Sequence, residues 1–269
     1  MSNPPRILIV AGSDSGGGAG LQADLKTVLA LGGYGMTAVT ALTAQNTRGV
    51  HEVLAVPPDF VRRQMRVVLD DLGADAIKTG MLKDAGIITA VAAELPAGVP
   101  LILDPVMIAK GGAALLDLGA IDALKRLLLP RTRVLTPNLP EAEALLGREI
   151  VDLDGMKLAA EALLSLGPAA ILLKGGHLPG DRVHDVLIDR TGLQVFSGPR
   201  IVSRHTHGTG CTLASALATG LGAGMPLADA AMRARAYVRE AIRTAPGFGH
   251  GHGPLGHGHT VGPFQGTGE

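Results

Sequence analysis

The sequence predicts one α/β domain of three layers, α/β/α, with helices on both faces of a doubly wound, mostly parallel sheet. Three observations carry that prediction. Short apolar runs such as Ile7-Leu8-Ile9-Val10 recur along the chain and suit strands covered on both faces. Between them lie segments with apolar residues at helical spacing. Polar and glycine-rich groups collect just past the strand ends, where open α/β sheets hold their ligands.

Composition agrees. At 269 residues, 46% of them hydrophobic, the chain can fill one large core. Only 2% are aromatic and none is Trp, so Leu, Val, Ile and Ala must fill it. Lys plus Arg (24) equals Asp plus Glu (24), which leaves no basic footprint for nucleic acid or an anionic membrane. One cysteine excludes an internal disulfide framework and suits a reducing cytoplasm. Residues 1–6 lack the charged start of a signal peptide, and no apolar run reaches the ~20 residues of a membrane span. The glycines sit at turns without a fixed period, so no solenoid is indicated.

Residues 6–11 form the first expected strand. The loop Gly12-Ser13-Asp14-Ser15-Gly16-Gly17-Gly18-Ala19-Gly20 follows, then a helix with Leu21, Leu25, Val28 and Leu29 on one face. Strand, glycine loop and helix suggest a phosphate loop, but the loop ends Gly20-Leu21-Gln22 without the Walker lysine. Position 21 is Leu, which breaks the dinucleotide glycine register. The loop therefore suits close approach to a small polar substrate, or an ordinary strand-to-helix turn. Residues 36–42 are the second strand. Gln45, just beyond it, both donates and accepts, which fits a heterocycle edge or loop solvation alike. Residues 50–56 alternate as a half-exposed strand, and Pro57-Pro58-Asp59 opens a helix through Leu72. Met81 follows the strand 74–79, as a flat apolar wall or as core filler. A helix covers 87–95.

Asp104 ends the strand 101–103, placed for Mg²⁺ or phosphate or as a turn residue; Lys110-Gly111-Gly112 continues that loop. A helix over 121–129 and a strand at 134–135 lead to Asn138 and Glu141. These two fit a water-clad Mg²⁺ or a helix cap, and spacing alone favours the cap. After the helix 156–166, the strand 170–173 ends at Lys174-Gly175-Gly176-His177, where the lysine suits nucleotide phosphates or a solvated loop. A hairpin spans 182–189 and 193–197. His207-Gly208-Thr209-Gly210-Cys211-Thr212 then opens a helix of small residues. Backbone N–H groups and the helix dipole make that start a natural anion site, and a thiolate is favoured there too; the plain alternative is a glycine turn with a buried cysteine. A last helix runs 227–244. From about 246 a Gly/His-rich tail carries His250, His252, His257 and His259, expected to be too flexible for a preorganised metal site.

Seven segments, AGSDSGGGAGLQADLKT, ALTAQNTRGV, KTGMLKD, DPVMIAKGG, TPNLPEAEALL, LLKGGH and THGTGCTLASA, occur in order across nearly the whole chain. Together they resemble the hydroxymethylpyrimidine/phosphomethylpyrimidine kinases of thiamine biosynthesis, in the ribokinase-like superfamily. The resemblance implies a ribokinase-like kinase domain over 1–269, two ATP-dependent phosphorylations of a pyrimidine alcohol and its monophosphate, Mg²⁺ and a homodimer. It implies substrate-pocket positions at Gln45, Ala19, Asp24, Met81 and Val106, and nucleotide-phosphate contacts at Lys174 and Thr209. Asp104, Asn138 and Glu141 match the metal and phosphate neighbourhood. Gly208, Thr209 and Gly210 match the anion turn, and Cys211 the place where sugar kinases of the superfamily carry an aspartate base. Pyridoxal kinase, of the same fold, and a non-catalytic pyrimidine-phosphate binder are the competing functions.

Overall fold

Ile7, Leu8, Ile9 and Val10 have no solvent exposure, because strand β1 (Arg6–Asp14) lies inside the sheet with helices over both faces. Burying each such side chain stabilises the fold by about 1.5–3 kcal/mol. The computed structural model describes residues 3–108, 112, 115–117 and 119–262. After β1 come α1 (Gly20–Ala30), β2 (Tyr34–Asn46), β3 (Gly49–Ala55), α2 (Pro58–Asp71), β4 (Ala76–Thr79), α3 (Ala85–Glu94) and β5 (Leu101–Leu103). Then follow α4 (Ala120–Ala123), β6 (Thr132–Leu135), α5 (Leu139–Leu146), α6 (Leu153–Leu164), β7 (Ala170–Lys174), the hairpin β8 (Arg182–Asp189) and β9 (Gly192–Pro199), α7 (Thr209–Gly222) and α8 (Leu227–Arg243).

The sheet order is β3-β2-β1-β4-β5-β6-β7-β8-β9. Strands β2 through β7 in that order pair in parallel, and antiparallel β3 and β8–β9 close the two edges. The chain winds from β1 to β2 on one side and then resumes with β4 on the other. Loops leaving β1 and β4 therefore part at this switch point, and a crevice opens between them. Leu8, Val10, Ile77 and Leu103 face α2, α3, α5 and α6; Ile7, Ile9, Ile102 and Val134 face α1, α7 and α8. Strand alternation thus divides one apolar sheet between two cores.

Three local expectations need correction. The inner face of α1 is Leu21, Ala23, Asp24, Thr27 and Val28, whereas Leu25 and Leu29 are exposed. An acidic residue is tolerated on that face because Lys78 of β4 pairs with it. The helix expected over 121–129 is regular only in α4; it widens through Leu124–Leu128 and ends at a tight turn, Leu129–Arg131, whose Pro130 cannot continue it. The described C-terminal segment around residues 251–257 is packed rather than loose. Leu255 and His257 are buried, the His252 N–H donates to Thr47 O (2.8 Å), and the Gly256 N–H donates to Ala241 O (2.8 Å). Glycine makes that approach feasible, since a side chain on Gly251 would run into Thr47 O. Lys110 and Gly111 lie outside the described residues. Among those described, no helix is long and apolar enough to cross a membrane.

Candidate active site

Helix α7 begins at Gly208, whose φ of 83° is the left-handed conformation that glycine adopts without strain. A side chain there would also collide with Gly18 O. Thr212 N–H makes the first bond back to Gly208 O (2.9 Å), so the amides of Thr209, Gly210 and Cys211 precede the helical ladder. No acidic residue stands in the first turn to offset the dipole. Lys174, at the end of β7, lies against this turn: a Cβ on Gly210 would stand 3.1 Å from its Nζ. Its ammonium is 2.9 Å from Asp104 Oδ1 and 3.9 Å from Glu141 Oε2. Burial pulls the Lys174 pKa down, but the two carboxylates outweigh it and raise the pKa.

Asn138 and Glu141 form a reciprocal cap at the start of α5. Glu141 N–H donates to Asn138 Oδ1 (2.9 Å) and Asn138 N–H donates to Glu141 Oε2 (2.8 Å). The cap reading is realised, and one oxygen of each side chain is committed to it. Both residues still line the cleft. Burial pushes Glu141 up to about 7, and Asp104 adds to this while Lys174 opposes it. Asp104 is buried at the end of β5 with Thr136 Oγ1 3.3 Å away.

Cys211 does not carry the thiolate that a helix start favours. Burial pushes its thiol up to about 12; Lys78 and the Gly20 N–H pull it back, and Asp24 and Asp104 push it further. Desolvation therefore wins over the dipole.

A cavity of about 540 Å³ joins the start of α7 to a second end lined by Ala19, Gln45, Met81 and Val106, a size suited to a small ligand. Gly12, Ser13 and Asp14 at the end of β1, with Ala19 and Gly20 at the start of α1, form part of its wall. Met81 is both wall and core: it is buried, and Thr40 Oγ1 donates to its carbonyl (2.6 Å). Asp24 is the expected pocket residue that the structure places elsewhere. It is fully buried behind the cleft, with Lys78 Nζ at 2.8 and 2.9 Å from its two oxygens and Ser215 Oγ donating at 2.7 Å. Helical geometry aims it inward with Leu21 and Val28, away from the cleft wall made by Ala19.

Sequence reasoning gave no role in the cleft to five residues found here. Asp14 collects the N–H groups of Gly16 (2.8 Å), Gly18 (3.1 Å) and Ala19 (2.9 Å) and also meets His207 Nε2 (2.9 Å). His207 sat inside the anion-turn segment, and Lys78 inside an apolar strand where an isolated charge signals a hidden partner. His252, in the tail, lines the cleft. His257 keeps its Nε2 3.0 Å from Thr212 Oγ1, and burial lowers its pKa to about 4. Among the described residues, no three or more His, Cys, Asp or Glu side chains cluster for a metal.

One cleft thus joins a helix start rich in unpaired backbone amides, with Lys174 beside it, to an end walled by Met81 and Val106. Fold and cleft together define a small-molecule kinase of the ribokinase-like fold. The family profile described as Phosphomethylpyrimidine kinase matches residues 14–256, and the chain belongs to that family. It is 54% identical over 254 residues to the thiamine biosynthesis bifunctional protein ThiED of Geobacter sulfurreducens, covering 93% of this chain but 52% of that longer protein. It is 49% identical to a hydroxymethylpyrimidine/phosphomethylpyrimidine kinase of Streptomyces coelicolor, covering 96% of each. Pyridoxal kinase from Staphylococcus aureus, in complex with AMP-PCP and pyridoxal, superposes with a TM-score of 0.87 at 34% identity, covering 96% of this chain and 94% of that one.

Proposed function

We propose that the protein transfers the γ-phosphoryl group of ATP to the hydroxymethyl group of 4-amino-5-hydroxymethyl-2-methylpyrimidine, and then phosphorylates the monophosphate to the diphosphate. The observation that carries this reading is the single cavity shared by Gln45 and the first turn of α7. Gln45 meets the ring edge, Met81 and Val106 flank the ring, and its alcohol lies beside Gly208 to Cys211. Lys174 and the amides of Thr209, Gly210 and Cys211 hold the triphosphate.

Phosphoryl transfer passes through a loose transition state whose charge sits on the transferring oxygens. Preorganised amides and the Lys174 ammonium stabilise that charge without reorganisation. The alcohol oxygen forms the new P–O bond as the bond to the β-phosphate oxygen breaks, and the hydroxyl proton passes late to an oxygen of the transferred phosphoryl group. A thiol held near 12 is a poor resting base, so Cys211 orients the hydroxyl more than it deprotonates it. Asp104 and Glu141, two buried carboxylates sharing one lysine, suit a Mg²⁺ ion that keeps most of its own waters. Bound with ATP, that ion supplies further charge neutralisation.

Pyridoxal phosphorylation is the second reading, favoured by the match to the staphylococcal enzyme. A coupled assay with ATP–Mg²⁺ and the pyrimidine alcohol, its monophosphate or pyridoxal, with products identified by mass, separates the two. Turnover of the monophosphate to a diphosphate is expected. ATP use with pyridoxal alone would overturn the first reading.

A further inference from the structure

The ring end of the cleft contains a chain of polar groups whose proton count has one consistent solution. Gln45 is held by its own backbone, since its N–H donates to Ser15 Oγ (2.9 Å) and Ser15 Oγ donates to its carbonyl (2.9 Å). Only the amide end is free to turn. As placed, Oε1 lies 3.2 Å from Thr43 Oγ1 and Nε2 3.3 Å from His207 Nε2, and a half-turn of the amide exchanges the two without moving any other atom. The Thr43 hydroxyl has a single proton, and the Ser13 carbonyl, which can only accept, takes it at 2.9 Å. Thr43 Oγ1 must then accept from Gln45, which places the amide NH₂ on that side.

The same arithmetic holds at the other end. Asp14 Oδ2 is 2.9 Å from His207 Nε2. Burial pushes Asp14 up, but His207 and the loop N–H groups outweigh it and hold the carboxyl below its usual range. An ionised carboxylate this close to a bare imidazole nitrogen would be repelled, so Nε2 carries a proton and donates. A protonated Nε2 cannot accept from an NH₂ group. It can share its hydrogen with an amide oxygen, so Oε1 of Gln45 faces His207.

We propose that His207 is a positioning residue: held by Asp14 as an Nε2–H donor, it fixes the direction of the Gln45 amide and so the order of donors and acceptors that the site accepts. This rests on the reading of Gln45 as the ring contact. The pyrimidine edge offers an exocyclic amino donor next to a ring-nitrogen acceptor. With Oε1 toward His207, the amino group sits on the His207 side and the ring nitrogen on the Thr43 side. The hydroxymethyl carbon neighbours the amino-bearing carbon, so the alcohol points toward Gly208, the next residue in the chain. A reversed amide would turn the alcohol away. Pyridoxal carries a carbonyl acceptor where the pyrimidine carries its amino donor, and it would face the amide oxygen.

The test has two arms. In ligand-free protein, a long-range ¹H–¹⁵N spectrum is expected to show His207 protonated at Nε2, with that signature lost in Asp14→Asn. A bare Nε2 in the wild type overturns the proposal whatever the substrate. In the kinetic arm, His207→Phe is expected to raise KM for the pyrimidine alcohol at least tenfold and to narrow the preference over pyridoxal. KM for ATP should stay within about threefold, and His207→Gln, which keeps an N–H, should recover most of the loss. In a Gln45→Ala background, His207→Phe should change pyrimidine KM less than twofold. Additive effects, or His207→Gln as impaired as His207→Phe, would overturn it. If Gln45→Ala itself leaves pyrimidine KM unchanged, the ring assignment fails instead, and the spectrum still decides the proton arrangement.

Discussion

Two lysines lie on parallel strands of the same sheet, and each pairs with a carboxylate, yet their surroundings differ. Lys78 at β4 is sealed: Asp24 meets its ammonium through both oxygens, and Ser215 caps one of them. Lys174 at β7 bonds one oxygen of Asp104, stands 3.9 Å from Glu141 and opens on the cleft. Burial works against the charge of Lys78, but Asp24, Cys211 and Asp104 outweigh it and its pKa rises. The sealed pair has spent its hydrogen bonds on structure. The open one keeps ammonium protons for a ligand. A charged pair near a site is thus informative about catalysis only when some of its valences remain unused.

The comparison breaks most sharply at the sealed pair. Lys78→Met leaves the Asp24 carboxylate buried without a partner and should cost about 3–5 kcal/mol in urea unfolding, while the neutral pair Lys78→Met/Asp24→Asn regains most of it. A single variant as stable as the double would show that the two groups are not an ion pair. Next in size, Lys174→Ala should lower kcat/KM for ATP about 10²–10³-fold, the cost of losing one preorganised charge donor, with a smaller loss of stability than Lys78→Met. Cys211→Ser should retain activity within about tenfold, because a general base is worth about 10²–10⁴-fold and a thiol near 12 does not serve as one. An inactive Cys211→Ser that binds both substrates normally would reverse that order.

A pH titration gives the smallest effect. Glu141 in the folded protein titrates near 7, above its ordinary value of 4.5. Between those values the folded state holds more protons than the unfolded chain, so this group's contribution to stability is lost as pH rises through the window. Metal-free wild type should show that loss in its unfolding midpoint, and Glu141→Gln should lack this component. A slope unchanged by Glu141→Gln would show that its carboxyl is not perturbed.

Local pattern made most of the scaffold readable. Ile7 to Val10, Leu101 to Leu103 and the hairpin around Arg190-Thr191-Gly192 follow from apolar runs and turn residues alone. The glycine turn that opens α7 was readable because glycine spacing and a helix start are local as well. What escaped depends on partners far apart in the chain. Asp24 is 54 residues from Lys78 and 191 from Ser215, so nothing near it announced a buried role. His207 is 193 residues from Asp14. The C-terminal glycines read as slack chain because their anchors, Thr47 and Ala241, belong to other elements. The balance between dipole and desolvation at Cys211 needs the packed volume around the sulfur, which spacing cannot supply.

The cleft wall runs from Ala11 near the start of the chain to His252 near the end of the described residues, and the strap that carries His252 is held by Thr47 and Ala241. During synthesis the strands emerge one after another and can pair, but the last wall arrives only after α8 has left the ribosome. A chain that ends before residue 250 would therefore contain every strand of the sheet and lack the His252 side of the cleft.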